Sequence, residues 1–331
     1  MTAIYNDYPY WRYTVSELGV RHGLLGDSPI PNIGPQADQY HKIKGYGETC
    51  KFIIDEPVEA NIPGPESPEG ITVFKKLHEL LDTYKISAED VHMISPAVNF
   101  EELYTSWCED NDEKQFIGNR HVYPFYFLTE QRKYEYVRNF NHTRNKHLMS
   151  LNGAVKPKRL KFIKFCKNHG LMNNYISLVA NYNTTDKKVT PIELDVGADE
   201  LSKNDKAVPL KLMEDSWLNI INETHEDKTV FFTEKTWKPI LNLQLFLYYG
   251  VGNPQAYYNA LRSYGFELYD EILDYSNSAE HEIFKFSLIS LQEWADKIDK
   301  VKDKMLYNQN LALNTNWKEL FYEKEYNSIW G

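Results

Sequence analysis

One stretch, Leu218 to Pro254, constrains the chain more than any other: LNIINETHEDKTVFFTEKTWKPILNLQLFLYYGVGNP. Trp217 to Asn222 reads as a strand, an acidic turn follows, and Thr229 to Phe232 and Leu243 to Tyr249 read as two further strands. Thr233, Glu234 and Lys235 fall where a strand gives way to a helix. A threonine there is an N-cap, because its hydroxyl accepts from a first-turn N–H that has no partner inside the helix. The other free N–H groups and the positive end of the helix dipole suit an anion, and Lys235 adds a full charge beside them. Glu234 offers acceptor oxygens to ribose or sugar hydroxyls. The same residues also read as a plain capped surface helix with a neighbouring acid–base pair, and spacing alone leaves both readings open.

The rest of the chain places this stretch in an α/β frame. Pro29, Pro31, Gly34 and Pro35 break up the first 45 residues. Lys51 to Ile54 reads as a strand, and a Pro- and Gly-rich loop, Pro57 to Gly70, follows. Val73, Phe74, Leu77, Leu80, Leu81 and Tyr84 recur at helical spacing. Val91 to Ile94 reads as a strand, Phe100 to Cys108 as a helix, and His121 to Phe127 as a strand. His147 to Leu151, the helix Lys156 to Asn168 and the strand Tyr175 to Ala180 continue the alternation, which predicts parallel sheets. After a polar insertion, Asn181 to Asp205, comes the stretch described above; Ala279 to Lys304 then reads as one long helix with Ile283, Phe284, Phe286, Leu288, Leu291 and Trp294 on its apolar side.

At 331 residues the chain has room for two domains. Net charge is −10, yet residues 131 to 170 hold eleven Lys or Arg against a single acid, Glu135. Such asymmetry fits an anionic partner, and it equally fits a solvated linker. Three scattered cysteines, Cys50, Cys108 and Cys166, show neither pairing nor metal spacing, which points to a reducing interior. The start, MTAIYNDYPYWRY, has no apolar signal core, and the longest apolar run, Leu241 to Val251, is too short to span a bilayer. The expectation is a cytoplasmic protein without a membrane partner.

Two pieces of sequence resemble a known family. ETHEDKTVFFTEKTWKPI, followed by an apolar strand and GNP, is similar to the donor-binding signature of fucosyltransferase-like GT-B glycosyltransferases. Their pattern pairs an ET dipeptide, here Glu223-Thr224, with TEK-x-x-x-P, here Thr233 to Pro239. Upstream, SLNGAVKPKR (Ser150 to Arg159) resembles the strand–loop–helix in which an Asn and a later Arg flank the donor diphosphate; Asn152 and Arg159 take those positions, with Lys156 and Lys158 as further basic residues. The resemblance runs from about residue 147 to 276, through GFELYDEILDYS; the first half of the chain carries none. It implies a GT-B fold of two Rossmann-like domains facing each other across a cleft. The first would be an acceptor-side domain over residues 1–146, the second a donor domain over 147–310, and a tail over 311–331 would pack back on the first.

The activity so implied is transfer of a sugar from a nucleoside-diphosphate sugar, UDP- or GDP-linked, to an acceptor hydroxyl, with no cofactor and no metal. Arg159, Glu234 and Lys235 would be catalytic, and Asn152, Lys156, Glu223 and Thr233 would bind the donor. Asp55, Glu56, Glu101 and Glu102 follow predicted strands, and the sequence does not choose a general base among them. Proteins with this FTEKTWKPI style of motif resemble many from large bacteriophages and marine viruses, which would set the protein in a host cytoplasm. There the acceptor would be a glycan, a small molecule or a hydroxymethylated pyrimidine in DNA, and Arg132, Lys133, Arg138, Arg144 and Lys146 would remain free to meet DNA phosphates. A non-catalytic carbohydrate- or nucleic-acid-binding protein of the same fold is the reading from another class. Asp110-Asn111-Asp112 forms a D-x-D, the metal signature of the other large glycosyltransferase fold, but it lies in CEDNDEK, which reads as a solvated turn. No complete G-x-G-x-x-G, Walker, H-E-x-x-H or G-x-S-x-G pattern is present.

Overall fold

The structure, a computed structural model, describes residues 2–3, 38, 41–42, 45–46, 50–55, 73–95, 97–113, 117–122, 140–141, 143–152, 155–178, 210–223, 229–250, 253–317 and 320. The chain forms two units: Met1–Tyr126 with Asp227–Phe232 and Asn316–Gly331, and Phe127–Glu226 with Thr233–Thr315. Both are α/β with parallel strands.

In the first unit β1 (Thr2–Ala3), β2 (Cys50–Asp55), β3 (Val91–Ser95) and β4 (Asn119–Val122) lie side by side in chain order, all parallel. Helix α1 (Val73–Tyr84) precedes β3 and α2 (Phe100–Asp110) follows it. The apolar spacing of α1 has the expected result: Phe74, Leu77 and Leu81 are buried, with the Phe74 ring against Phe100, Tyr104 and Trp107. Thr229 to Phe232, read as a strand, is not one. Phe231 makes a single antiparallel bridge to Ala97; Val98 N–H donates to Val230 O at 2.7 Å, but Val230 N–H goes to Asn99 Oδ1 at 2.9 Å, so a side chain stands where the next rung of a ladder would be.

In the second unit β5 (Lys146–Asn152), α3 (Pro157–Asn168), β6 (Tyr175–Leu178), α4 (Leu210–Glu214), β7 (Ser216–Ile221), α5 (Glu234–Leu241), β8 (Leu245–Tyr248) and α6 (Pro254–Ser263) alternate along the chain. The parallel strands pair in the order β6-β5-β7-β8, so the order reverses between β5 and β7. Every residue of β7 and β8 is buried, as expected of strands covered on both faces. Trp217, Phe246 and Tyr257 have no exposure, and each such side chain contributes about 1.5–3 kcal/mol on burial. The Tyr248 ring stacks on Tyr257 at 4.4 Å and passes so close to Gly250 that a Cβ there would lie 2.0 Å from it, which explains the glycine.

Where the strands of this sheet begin, the chain is tied by side chains. Arg144 is buried; its Nη1 donates to Met213 O at 3.2 Å and Ser216 O at 2.6 Å, its Nη2 to Leu243 O at 2.8 Å, and its guanidinium lies 4.7 Å from the Trp217 ring. Burial pushes the Arg144 pKa down to about 10, with Glu214 and Asp215 opposing that shift, so it remains charged at neutral pH. Asp215 accepts from Asn145 Nδ2 at 2.6 Å and from Tyr175 Oη at 2.7 Å. Together the two residues join the starts of all four strands. The Leu243 carbonyl that Arg144 meets belongs to a residue at φ 53°, a left-handed conformation that a branched side chain rarely adopts. Arg144 therefore leaves the set of cations expected to face a polyanion, and Lys146 is occupied too, its Nζ donating to Asn173 O at 2.6 Å.

The C-terminal region departs from the single helix expected. It forms α7 (Ala279–Ser287), α8 (Leu291–Ile298) and α9 (Lys302–Asn314). The break is set by Ser290, which caps α8 in a reciprocal box with Glu293 and so competes with a continuous helix. Phe286 then stacks on Trp294 at 3.6 Å, while Phe284 and Leu288, expected on the apolar side, are exposed. The Pro57–Gly70 loop, residues 123–127, Arg132, Lys133, Arg138, the insertion Asn181–Asp205, Thr224 and the aromatic tail after Leu320 lie outside the described residues. Among the described residues no helix is long and apolar enough to cross a membrane.

Removing the guanidinium strands several buried carbonyls, so Arg144→Leu is expected to lower stability by about 3 kcal/mol or more. Urea unfolding of the variant measures it; a midpoint equal to that of the parent would show that the strand starts do not depend on Arg144.

Candidate active site

Parallel strands place all their C-terminal ends on one side, and in open α/β sheets ligands bind there, where strand order reverses. In this protein that point lies between β5 and β7. Asn152 is the last residue of β5; Asn222 and Glu223 directly follow β7. The register Met149↔Asn219, continued along the parallel pair, sets Asn152 level with Asn222. Arg159, buried in the first turn of α3, donates from Nη2 to Asn222 O at 3.2 Å, so the helix after β5 reaches to the end of β7.

Glu223 organises the residues around it. It is 1% exposed, its Oε1 accepts from Thr233 Oγ1 at 2.7 Å, and its Oε2 faces Lys235 Nζ at 3.3 Å. Thr233 is the N-cap of α5 as expected, accepting from Lys235 N at 3.1 Å. Lys235 Nζ also meets Glu234 Oε1 at 3.1 Å, so one ammonium lies between two carboxylates. Burial alone would push the Lys235 pKa down; Glu223 and Glu234 outweigh it, with Arg159 acting the other way, and the net shift is upward. Burial would raise Glu234, but Lys235 and Lys238 outweigh it and hold its carboxyl below the ordinary value. Glu234 gains stability from this above its ordinary pKa and loses it as pH falls through the lowered one; Lys235 gains below its ordinary pKa and loses it as pH rises through the raised one. The ion pair thus holds across neutral pH.

This geometry assigns different tasks to neighbouring residues. Both Glu223 oxygens are engaged and hidden, so Glu223 positions Lys235 and the cap. The Glu234 and Lys235 side chains, 20% and 23% exposed, are the parts of the cluster that a ligand can reach. Lys235 is matched by two carboxylates, and Arg159 acts on it as a second positive charge. Lys156 is half-buried at the N-cap of α3, without a side-chain cap bond, and Pro157 at the first helical position has no N–H to satisfy.

Two asparagines mark the same edge. Asn152 Nδ2 donates to Ser150 O at 3.2 Å and to Ser177 O at 3.0 Å, while its Oδ1 is buried without a partner. Asn222, 1% exposed, has neither amide atom bonded. Sequence reading singled out Asn152 and missed Asn222, since an Asn after an apolar run reads as an ordinary strand end; the only signal was its place between that run and Glu223. The carboxylates weighed as a base belong to the first unit. Glu101 is exposed and pairs with Arg120 at 2.9 Å, Glu102 is exposed, Asp55 ends β2, and Glu56 is outside the described residues. Asp110 ends α2 and Asp112 sits in a turn at φ 48°.

No protein-family model matches the chain, and no curated protein or solved structure matches it significantly.

Lys235→Met leaves Glu223 buried without its cation and is expected to lower stability by about 3 kcal/mol. Adding Glu223→Gln should recover a large part of that loss, because the charge left unmatched is then gone. A urea-denaturation cycle over the four proteins checks this; strictly additive losses would mean that the pair is not coupled.

Proposed function

We propose that this chain is a nucleotide-sugar-dependent glycosyltransferase of the two-domain GT-B type, acting in the cytoplasm on a UDP- or GDP-sugar. The observation that carries the reading is a convergence. Arg159 from one motif and Glu223, Thr233 and Lys235 from another, far apart in sequence, meet where the strand order of the second sheet reverses. That is where an open α/β sheet takes a nucleotide, with helix starts turned to its phosphates.

In the reaction the bond from the anomeric carbon to the diphosphate oxygen breaks and a bond from that carbon to the acceptor oxygen forms. The diphosphate leaves with the electron pair, and the acceptor proton passes to a base. Arg159 meets the charge growing on the leaving group, with the starts of α3 and α5. Lys235, fixed by Glu223, keeps the cation beside it, and Glu234 accepts from donor hydroxyls. Because these cations take the role a metal ion serves elsewhere, activity is expected to survive excess chelator. Loss with chelator and return with manganese would instead bring Asp110 and Asp112 forward.

Arg159→Ala is expected to lower turnover about 10²–10³-fold, as when one donor to a developing anion is lost. Release of nucleoside diphosphate from a panel of UDP- and GDP-sugars is the assay. A parent protein that binds these sugars but never releases diphosphate, with or without acceptors, would be a binding protein of the same fold.

For the acceptor, the commitment of Arg144 and Lys146 to backbone carbonyls favours a glycan or small molecule over duplex DNA. Transfer to DNA carrying hydroxymethylated pyrimidine, falling steeply with salt, would reverse that preference.

A further inference from the structure

We infer that Asn222 is a ligand-reading residue whose side-chain amide bonds the hydroxyls of a sugar ring next to the anion held at Arg159. The inference rests on the donor-site reading above and adds a contact that neither motif supplies.

A buried amide normally finds partners, because each donor or acceptor left without one carries a desolvation penalty. Asn222 has one donor group and one acceptor, both buried and both unbonded. It stands directly after β7, level with Asn152, whose Oδ1 is unbonded as well. Its own backbone carbonyl receives the Arg159 guanidinium, so any anion on Arg159 lies next to this residue. Other buried amides of the sheet bond to one another and to backbone. Asn219 Nδ2 donates to Gln244 Oε1 at 3.1 Å, and Gln244 Nε2 in turn to Ser216 O at 3.1 Å. Two of the buried amides with unmet atoms, Asn152 and Asn222, thus fall together at the point where a ligand is expected, while Asn242, with an unbonded Oδ1, lies before β8. A hydroxyl both donates and accepts, so vicinal hydroxyls satisfy the Asn222 pair and leave the Asn152 oxygen a further donor. The diphosphate of a sugar nucleotide, ionised and esterified at both ends, offers acceptors only and cannot.

The test uses the full chain and compares inorganic pyrophosphate with UDP-glucose and GDP-mannose by calorimetry. Asn222→Leu, close in shape, removes the unmet amide. It is expected to raise the melting temperature by about 2 °C or more. The same variant should weaken the sugar nucleotide about tenfold while pyrophosphate binding stays unchanged. Asn222→Ala, which cannot clash, should lose the sugar nucleotide in the same way. Equal sugar-nucleotide affinity in the parent and both variants would overturn the role of Asn222 and leave the donor site standing. A parent that binds pyrophosphate but neither sugar nucleotide would also overturn it. A parent that binds none of the three would remove the donor site and this inference together.

Discussion

A carboxylate taken almost wholly out of water must find its counter-charge within the fold, and Glu223 finds it in Lys235. That requirement reaches well beyond one ion pair. Lys235 is in the first turn of α5, so meeting the charge fixes where that helix starts. Thr233 both donates to Glu223 and accepts from the Lys235 N–H, which settles the direction of the start as well. The end of β7 and the beginning of α5 are thereby held as one piece, although the residues between them belong partly to the other unit.

Tuning follows from the same arrangement. A lone ammonium at that depth would tend to lose its proton, and a lone carboxylate to gain one. Held together, Lys235 and Glu234 shift in opposite directions and both remain ionised. The cluster thus brings charge and hydrogen-bonding capacity to the strand ends without a strong net charge.

Much of the second unit was legible in sequence because its signals are local. Apolar runs of strand length and Thr233 as a cap each act over a few residues. What was not legible depends on contacts made over long separations. Arg144 counted as one more cation in a basic stretch, but three of its carbonyl partners, Met213, Ser216 and Leu243, lie 69 to 99 residues away. Glu223 was read as facing a ligand, since burial on both oxygens comes from residues that only the fold brings near. Asn222 was passed over for the same reason. The continuous helix after Ala279 failed because periodicity registers apolar faces and gives little weight to a serine that can cap. Of the first unit, β2, β3 and the α1 face were readable, while Thr229 to Phe232 had the composition of a strand but makes, among the described residues, a single bridge to Ala97.

The seam of Arg144 and Asp215 where the strands enter the second sheet has an evolutionary consequence. Strand alignment is fixed at that entrance, by Arg144 bonds to backbone carbonyls and Asp215 bonds to the Asn145 and Tyr175 side chains, all away from the strand ends. The exit side can therefore be rewritten residue by residue while the frame keeps its register. A change of side chain at strand-end positions such as 152 and 222 therefore leaves the alignment of the sheet in place.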